Sequence, residues 1–336
     1  MKLDNPFNKS ITAAIVAATI ILSANVSASD EMSAYLRPET VPAPEDNKPN
    51  ANRIALGKAL FFDPRLSGSN WISCGTCHNP ALGWSDGLPT AIGNNQKVLG
   101  RATPTILNTA YNPHQFWDGR ANTLEEQALG PIAASGEMNQ DLDKLVAELK
   151  GIKGYKPMFD SAYPGEGISK KTIAKAIASF ERTVVSKESR FDRFVKGDKN
   201  ALSKDEQNGF KVFEGKGRCA SCHSGFNFTD NQFHNIGLKD KDPGRAAITK
   251  DKSLTGAVKT PTLRDIALTA PYMHNGSIKT LQEVVEHYDR GGDNKTHLSP
   301  MMVKLDLSKQ EKQDLVAFLQ SLTGEPANIT VPHLPN

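Results

Sequence analysis

The chain of 336 residues holds little of what usually assigns a protein to a class at once. It has 4 cysteines, 3 tryptophans and an aromatic content of 7%. So few cysteines exclude a disulfide-knit scaffold. The net charge is only +3, with 40 basic residues interleaved among 37 acidic ones, which excludes a basic nucleic-acid-binding surface. After the first 28 residues no run is apolar enough to cross a bilayer. No sustained apolar–polar alternation marks a large β-sheet. What remains is ordinary globular composition, 38% hydrophobic and 23% charged, with length enough for two domains.

Residues 1–28 read as a signal peptide. Lys2 and Lys9 form a basic start, Ile11 to Leu22 an apolar run, and Val26-Ser27-Ala28 a small-x-small cleavage site. Removal takes away Lys2, Lys9 and Asp4, leaving 38 basic and 36 acidic residues and a charge of +2. The expected mature protein is soluble and exported, with a periplasmic location.

The cysteines fall into two C-x-x-C-H motifs, Cys74-Gly-Thr-Cys77-His78 and Cys219-Ala-Ser-Cys222-His223. This is the attachment motif of c-type haem, in which two thiols bond the porphyrin vinyl groups and the histidine ligates iron. A zinc site would pair its Cys-x-x-Cys motifs about 15–20 residues apart and needs no histidine after each. Dithiol redox chemistry uses one motif in a βαβ context, which is absent. Two covalent c-type haems are therefore expected, one held by Cys74, Cys77 and His78, the other by Cys219, Cys222 and His223.

The chain also repeats itself. Thr103-Pro-Thr-Ile-Leu-Asn-Thr-Ala110 aligns with Thr260-Pro-Thr-Leu-Arg-Asp-Ile-Ala267 at an offset of 157, and from Thr103 to Glu126 there are 8 identities in 24 positions. Gly57-Lys-Ala-Leu-Phe61 and Gly209-Phe-Lys-Val-Phe213 precede the motifs, and Leu145-Val-Ala147 and Leu315-Val-Ala317 suggest paired late helices. Helical periodicity and caps predict helices over Asp141–Gly151, Ser169–Ser186, Ser203–Glu214, Thr280–Tyr288 and Ser308–Leu322. Only short extended pieces are expected, such as Phe228–Leu238. The Pro-rich segment Met32–Asn50 is expected to wrap the surface. The predicted fold is mainly α, two tandem cytochrome c-like domains with long loops, each holding one haem. Residues 29–186 would form the N-terminal peroxidatic domain and residues 187–336 the C-terminal electron-transfer domain.

The repeat allows the two irons to be compared. The offset of 157 maps Tyr288 onto Pro131. A phenolate binds ferric iron, whereas proline offers no donor. His223 and Tyr288 are thus the expected ligands of the second haem, with His287 and Met273 as rivals, and the first haem keeps an open sixth position. His274 aligns with Trp117 and should face the region between the haems. Met301, Met302, His114, His234, His297 and His333 read as packing, structural or surface residues.

The architecture resembles the bacterial di-haem cytochrome c peroxidase family, including its MauG-like branch. The resemblance rests on Gly57-Lys-x-Leu-Phe-Phe-Asp-Pro-Arg65, Gln115-Phe-Trp-Asp-Gly-Arg120, Glu126-Gln-Ala128, Gly130-Pro131, Glu137-Met138, Ala270-Pro-Tyr-Met-His-Asn-Gly276 and Asp314-Leu-Val-Ala-Phe-Leu319. Ordinary peroxidases of the family carry Met where Tyr288 stands, and the MauG type carries Tyr. The resemblance implies catalytic roles for three residues. Glu137 would shuttle the peroxide proton, Gln127 would orient peroxide, and Trp117 would relay electrons between the haems. It also implies a calcium site using the carbonyls of Thr269 and Pro271, although the family's Asn ligand is replaced by Ala102. The distal His of reductively activated members is replaced by Asn94, so the first iron should be open in the oxidised protein.

Three functions compete at this point. One is an exported peroxidase that reduces hydrogen peroxide with electrons from a small redox protein, a cytochrome c or copper protein. The second is a MauG-like oxidase that draws electrons from residues of a protein partner. The third is an electron carrier without substrate, which the open iron argues against. No nucleic-acid partner is expected, and a homodimer is left open as the oligomeric state.

Overall fold

Two helical cores account for the described residues of the computed structural model, which are Met1, 32–325 and 329–336. Apart from Met1, the expected signal peptide lies outside the described residues. The helices are α1 (Ala51–Phe61), α2 (Cys74–Cys77), α3 (Leu124–Ala133), α4 (Leu142–Gly151), α5 (Tyr155–Ala162), α6 (Lys170–Glu181), α7 (Arg190–Val195), α8 (Lys204–Glu214), α9 (Ala246–Thr249), α10 (Leu281–Asp289) and α11 (Lys309–Ser321). The caps read from sequence are present. Asp141, Ser169, Ser203, Thr280 and Ser308 each accept backbone N–H groups of the first turn that follows. Helix α6 ends at Glu181 rather than at Ser186, because the β-branched run Thr183-Val184-Val185 begins there. The expected extended piece Phe228–Leu238 contracts to β1 (Phe233–His234), antiparallel to β2 (Val258–Lys259) with Phe233 opposite Lys259. Among the described residues no helix is long and apolar enough to cross a membrane.

Each core is organised by one close helix crossing. In the first, α1 crosses α6 with Gly57 against Ala176, where a Cβ would lie 1.9 Å from the Ala176 carbonyl oxygen. In the second, α8 crosses α11 with Gly209 against Asp314, again with 1.9 Å between an added Cβ and the carbonyl oxygen. Only glycine permits such an approach. Phe180 and Phe318 pack beside the two glycines. The partner of α11 across the repeat is therefore α6. The sequence had suggested α4, through Leu145-Val-Ala147, because a three-residue likeness carries no information about which face crosses the glycine.

The first core runs from Leu56 to Val184 and the second from Phe191 to Leu322, with Tyr35 added to the second. Phe191, Phe213, Phe228 and Phe318 are wholly buried there, edge-on or tilted to one another. Removing one such ring costs about 3–5 kcal/mol. Both chain ends cross over. Tyr35 packs among Phe191, Phe210 and Phe228. At the other end the carbonyls of Pro335 and Asn336 accept from Arg65 and the Gly154 N–H in the first half.

The repeat seen in sequence is a repeat in backbone. Gln115 bridges Ala121 and Tyr272 bridges Ile278, the same positions at the offset of 157. Phe116 and Met273 both take φ > 0 (68° and 75°), as do Gly119 and Gly276 (67° and 60°). Each hairpin then leads to a threonine cap, Thr123 or Thr280, and a helix, α3 or α10. Arg101 and Arg245 tie the halves together beside these hairpins. Arg101 reaches Asp118 at 2.7 Å and Asp242 at 2.6 Å, and Arg245 donates to the carbonyls of Asp118 and Gly119.

Candidate haem sites

The first motif forms the single turn of α2, capped reciprocally by Ser73 and Thr76. The second forms a 3₁₀ turn over Cys219–Ser221, entered through Arg218 in the left-handed region. None of the four cysteines is in a disulfide. His78 Nδ1 lies 3.1 Å from the Trp84 carbonyl oxygen and His223 Nδ1 2.9 Å from that of Phe228. Burial pushes both imidazole pKa values below the ordinary range, so each ring is neutral near pH 7. A neutral ring that donates from Nδ1 keeps its Nε2 lone pair for a metal. Orienting carbonyl, tautomer and thiol pair all fit a covalent c-type haem at both motifs.

In the second half Cys219, Cys222, His223, Met273 and Tyr288 line one cavity, walled by Leu281, Val284, Val285 and Leu315. Burial pushes the Tyr288 phenol above its ordinary value, reinforced by the nearby cysteine thiols. A phenol so placed ionises only against a cation, which is what ferric iron supplies. The rival His287 is turned away. It is fully buried, with Nε2 2.8 Å from the Ile236 carbonyl oxygen. Met273, Met301 and Met302 do line the cavity, and His234 lines it too. His234 is a cavity residue, contrary to the structural or surface role expected from sequence. Its Nε2 is 2.9 Å from Asp230 Oδ2, and this bond, with Cys222 beside it, pushes its pKa above the ordinary imidazole value. Cys222, Asp230 and His234 stand close enough to share a metal ion, but the haem motif already claims Cys222.

The first half presents a different face. Pro131 lies inside α3, eight positions past its capping Thr123, as Tyr288 lies eight past Thr280. Both helices therefore carry these two residues at the same turn. Gln127 is one turn before Pro131, half-buried. Glu137 follows α3 on a turn fixed by its N–H to the Ala134 carbonyl (2.9 Å) and by Met138 N–H to the Pro131 carbonyl (3.1 Å). Burial raises the Glu137 pKa, with Arg120 opposing, and its charge in turn helps to raise the Cys77 thiol. Glu137 is thus near the first thiol pair. Asn94 is nearly buried, and its N–H donates to the carbonyls of Glu137 (2.8 Å) and Gly136 (3.2 Å). The hairpin that bridges Ile92 with Val98 is thereby fastened to the segment bearing Glu137.

Between the halves stands Trp117. Its indole N–H donates to the Ala102 carbonyl at 2.9 Å, and its own carbonyl accepts from Lys259 N–H at 2.8 Å. The His274 ring lies edge-on to it at 6.3 Å, as the repeat alignment had implied. The cavity is bordered by both halves, with Ala102, Pro104 and Trp117 of the first lining it together with Thr269 and Pro271 of the second. Ala102 brings no side-chain oxygen to a calcium ion, and its carbonyl is taken by Trp117. Lys259, only 8% exposed, also lines this cavity, and the sequence reading passed over it. Its signal was present as a charged residue at the repeat position where the first half has Ala102.

Comparison with known proteins agrees with this geometry. The family description "Di-haem cytochrome c peroxidase" matches residues 51–200 and "Cytochrome c" matches residues 206–323. The methylamine utilization protein MauG of Methylorubrum extorquens is 48% identical over 305 residues, covering 90% of this chain and 86% of its own. Cytochrome c551 peroxidase of Nitrosomonas europaea is 39% identical over 295 residues, covering 85% and 84%. A crystal structure of a MauG-like protein associated with microbial copper homeostasis superposes with a TM-score of 0.80 at 34% identity, covering 86% of this chain and 95% of that one. Two tandem cytochrome c-type domains, haem cofactors and a peroxide-directed oxidoreductase activity follow. The chain belongs to the di-haem cytochrome c peroxidase family.

Proposed function

We propose that this protein is an exported di-haem enzyme that reduces hydrogen peroxide at the N-terminal haem with electrons passed through the C-terminal haem. The observation that carries the proposal is the pairing of Pro131 with Tyr288 at one turn of two equivalently capped helices. At that turn one half offers no side-chain donor and the other offers a phenol. Haem, when bound, supplies an iron that accepts a peroxide oxygen and holds oxidising equivalents.

The protein's own residues do the rest. His78 and His223 would hold the haems, each ring oriented by the Trp84 or Phe228 carbonyl at its Nδ1. Gln127 holds peroxide by hydrogen bonding. Glu137 takes the proton from the bound peroxide oxygen and returns it to the leaving one, so that hydrogen peroxide, two electrons and two protons give two water molecules. Burial raises its pKa, which favours its holding the proton between the two transfers. Trp117, held at both its indole N–H and its carbonyl, offers the route between the haems.

Tyr288 favours a second reading of where the electrons come from. An anionic phenolate stabilises the ferric state and disfavours reduction by a small cytochrome or copper protein. The electrons would then be drawn from residues of a protein partner. One experiment separates the readings. Peroxide consumption by the oxidised holoenzyme is measured with reduced cytochrome c or a reduced copper protein, then with candidate protein substrates. Turnover with the redox proteins supports the first reading, and oxidised partner residues without such turnover support the second. No peroxide consumption in either arm overturns the proposal.

A further inference from the structure

Lys259 is out of place in an apolar cavity. It lies on β2, its N–H held by the Trp117 carbonyl at 2.8 Å, and it lines the same cavity as Cys219, Cys222 and His223. Among the described residues its ammonium makes no hydrogen bond and no ion pair. The carboxylate acting on it is Asp230, which is already engaged by His234 at 2.9 Å and by the Gln232 N–H. Burial alone pushes the amine down to about 8. An ammonium is retained in such a place when the occupant of the cavity brings an anion. A c-type haem brings carboxylates as its propionates and no other anionic group of its periphery.

We propose that Lys259 is the counter-ion of a propionate of the C-terminal haem, and so a positioning residue that sets this haem's potential beside Trp117. The assignment rests on the reading that Cys219, Cys222 and His223 hold that haem. A fixed positive charge favours the reduced, less positive haem, so its removal favours the ferric form. The repeat makes the effect one-sided, because the corresponding residue of the first half is Ala102.

The test uses the two-haem protein. Lys259→Met keeps length and apolar bulk while removing the charge, and Lys259→Arg keeps the charge. Haem per chain is counted first. A variant that holds two haems is then titrated spectroelectrochemically. In Lys259→Met the low-spin haem should move about tenfold toward the ferric form, about 59 mV for a one-electron couple. The high-spin haem should not move, and Lys259→Arg should restore the parent value. Unchanged potentials at two haems per chain overturn the assignment. One haem per chain in the unaltered protein would count against the underlying reading instead. Should Lys259→Met fail to accumulate with two haems, resonance Raman of Lys259→Arg decides. A guanidinium bonds a carboxylate in a forked geometry, so the propionate-bending band of the low-spin haem should shift. An unmoved band overturns the assignment.

Discussion

The two halves share a hairpin, a threonine cap and a helix, and they diverge at one turn of that helix. Pro131 in α3 removes both a side-chain donor and a backbone N–H, whereas Tyr288 in α10 brings a half-buried phenol to the cavity that His223 also lines. The surroundings diverge in the same sense. The first half adds a carboxyl of raised pKa, Glu137, and a hairpin fastened over it through Asn94. The second adds Lys259, His234 and three methionines to its cavity. On the proposed function, this duplicated frame would serve proton chemistry on one side and electron storage on the other. The backbone is shared, and the difference between the halves lies in a few side chains.

The comparison can be attacked at its strongest point first. Glu137→Gln removes the proton acceptor while keeping shape, so the peroxide reaction should slow by about 10²–10⁴-fold with both haem spectra nearly unchanged. Stopped-flow mixing with peroxide checks this. Normal rates would remove Glu137 from the chemistry. Next, the two helix crossings should be energetically alike. Gly57→Ala and Gly209→Ala each force a Cβ against a carbonyl oxygen, so each should cost about 1–3 kcal/mol in denaturant unfolding. A cost at one glycine alone would show that the halves are not built equivalently.

A smaller effect is expected at the seam. Trp117→Phe removes no distal acid or ligand, so the first spectral change, at the N-terminal haem, should survive while that of the C-terminal haem slows. Equal slowing at both haems would mean that Trp117 serves the N-terminal site itself. Last is a shift along the pH axis. Because burial raises the Glu137 pKa, the carboxylate is lost on acidification earlier than for an ordinary glutamate. The peroxide rate should therefore fall as pH drops through a value above 4.5, and Glu137→Gln should abolish that limb. A limb at or below 4.5 would contradict the burial argument.

Much of this was readable along the chain because it is written locally. The C-x-x-C-H motifs, the Ser, Thr and Asp caps and the offset of 157 each occupy a few adjacent residues. The mapping of Tyr288 onto Pro131 held because caps at Thr123 and Thr280 fix the phase of both helices. What was missed is tertiary. His234 and Lys259 are surface-type residues in sequence, and only the folded chain brings both to the lining of the cavity. The crossing of α6 over α1 depends on Ala176 meeting Gly57, which no local likeness reveals. The crossover of Tyr35 to the second core is equally invisible, since a Pro-rich arm carries no periodic signal.

The central claim is one open iron and one tyrosine-bound iron. Electron paramagnetic resonance of the fully oxidised protein, alongside Tyr288→Phe, tests it directly. The parent should show one high-spin and one low-spin ferric signal, with only the low-spin signal altered in the variant. Two low-spin signals in the resting parent, or a variant that changes the high-spin signal, would contradict it.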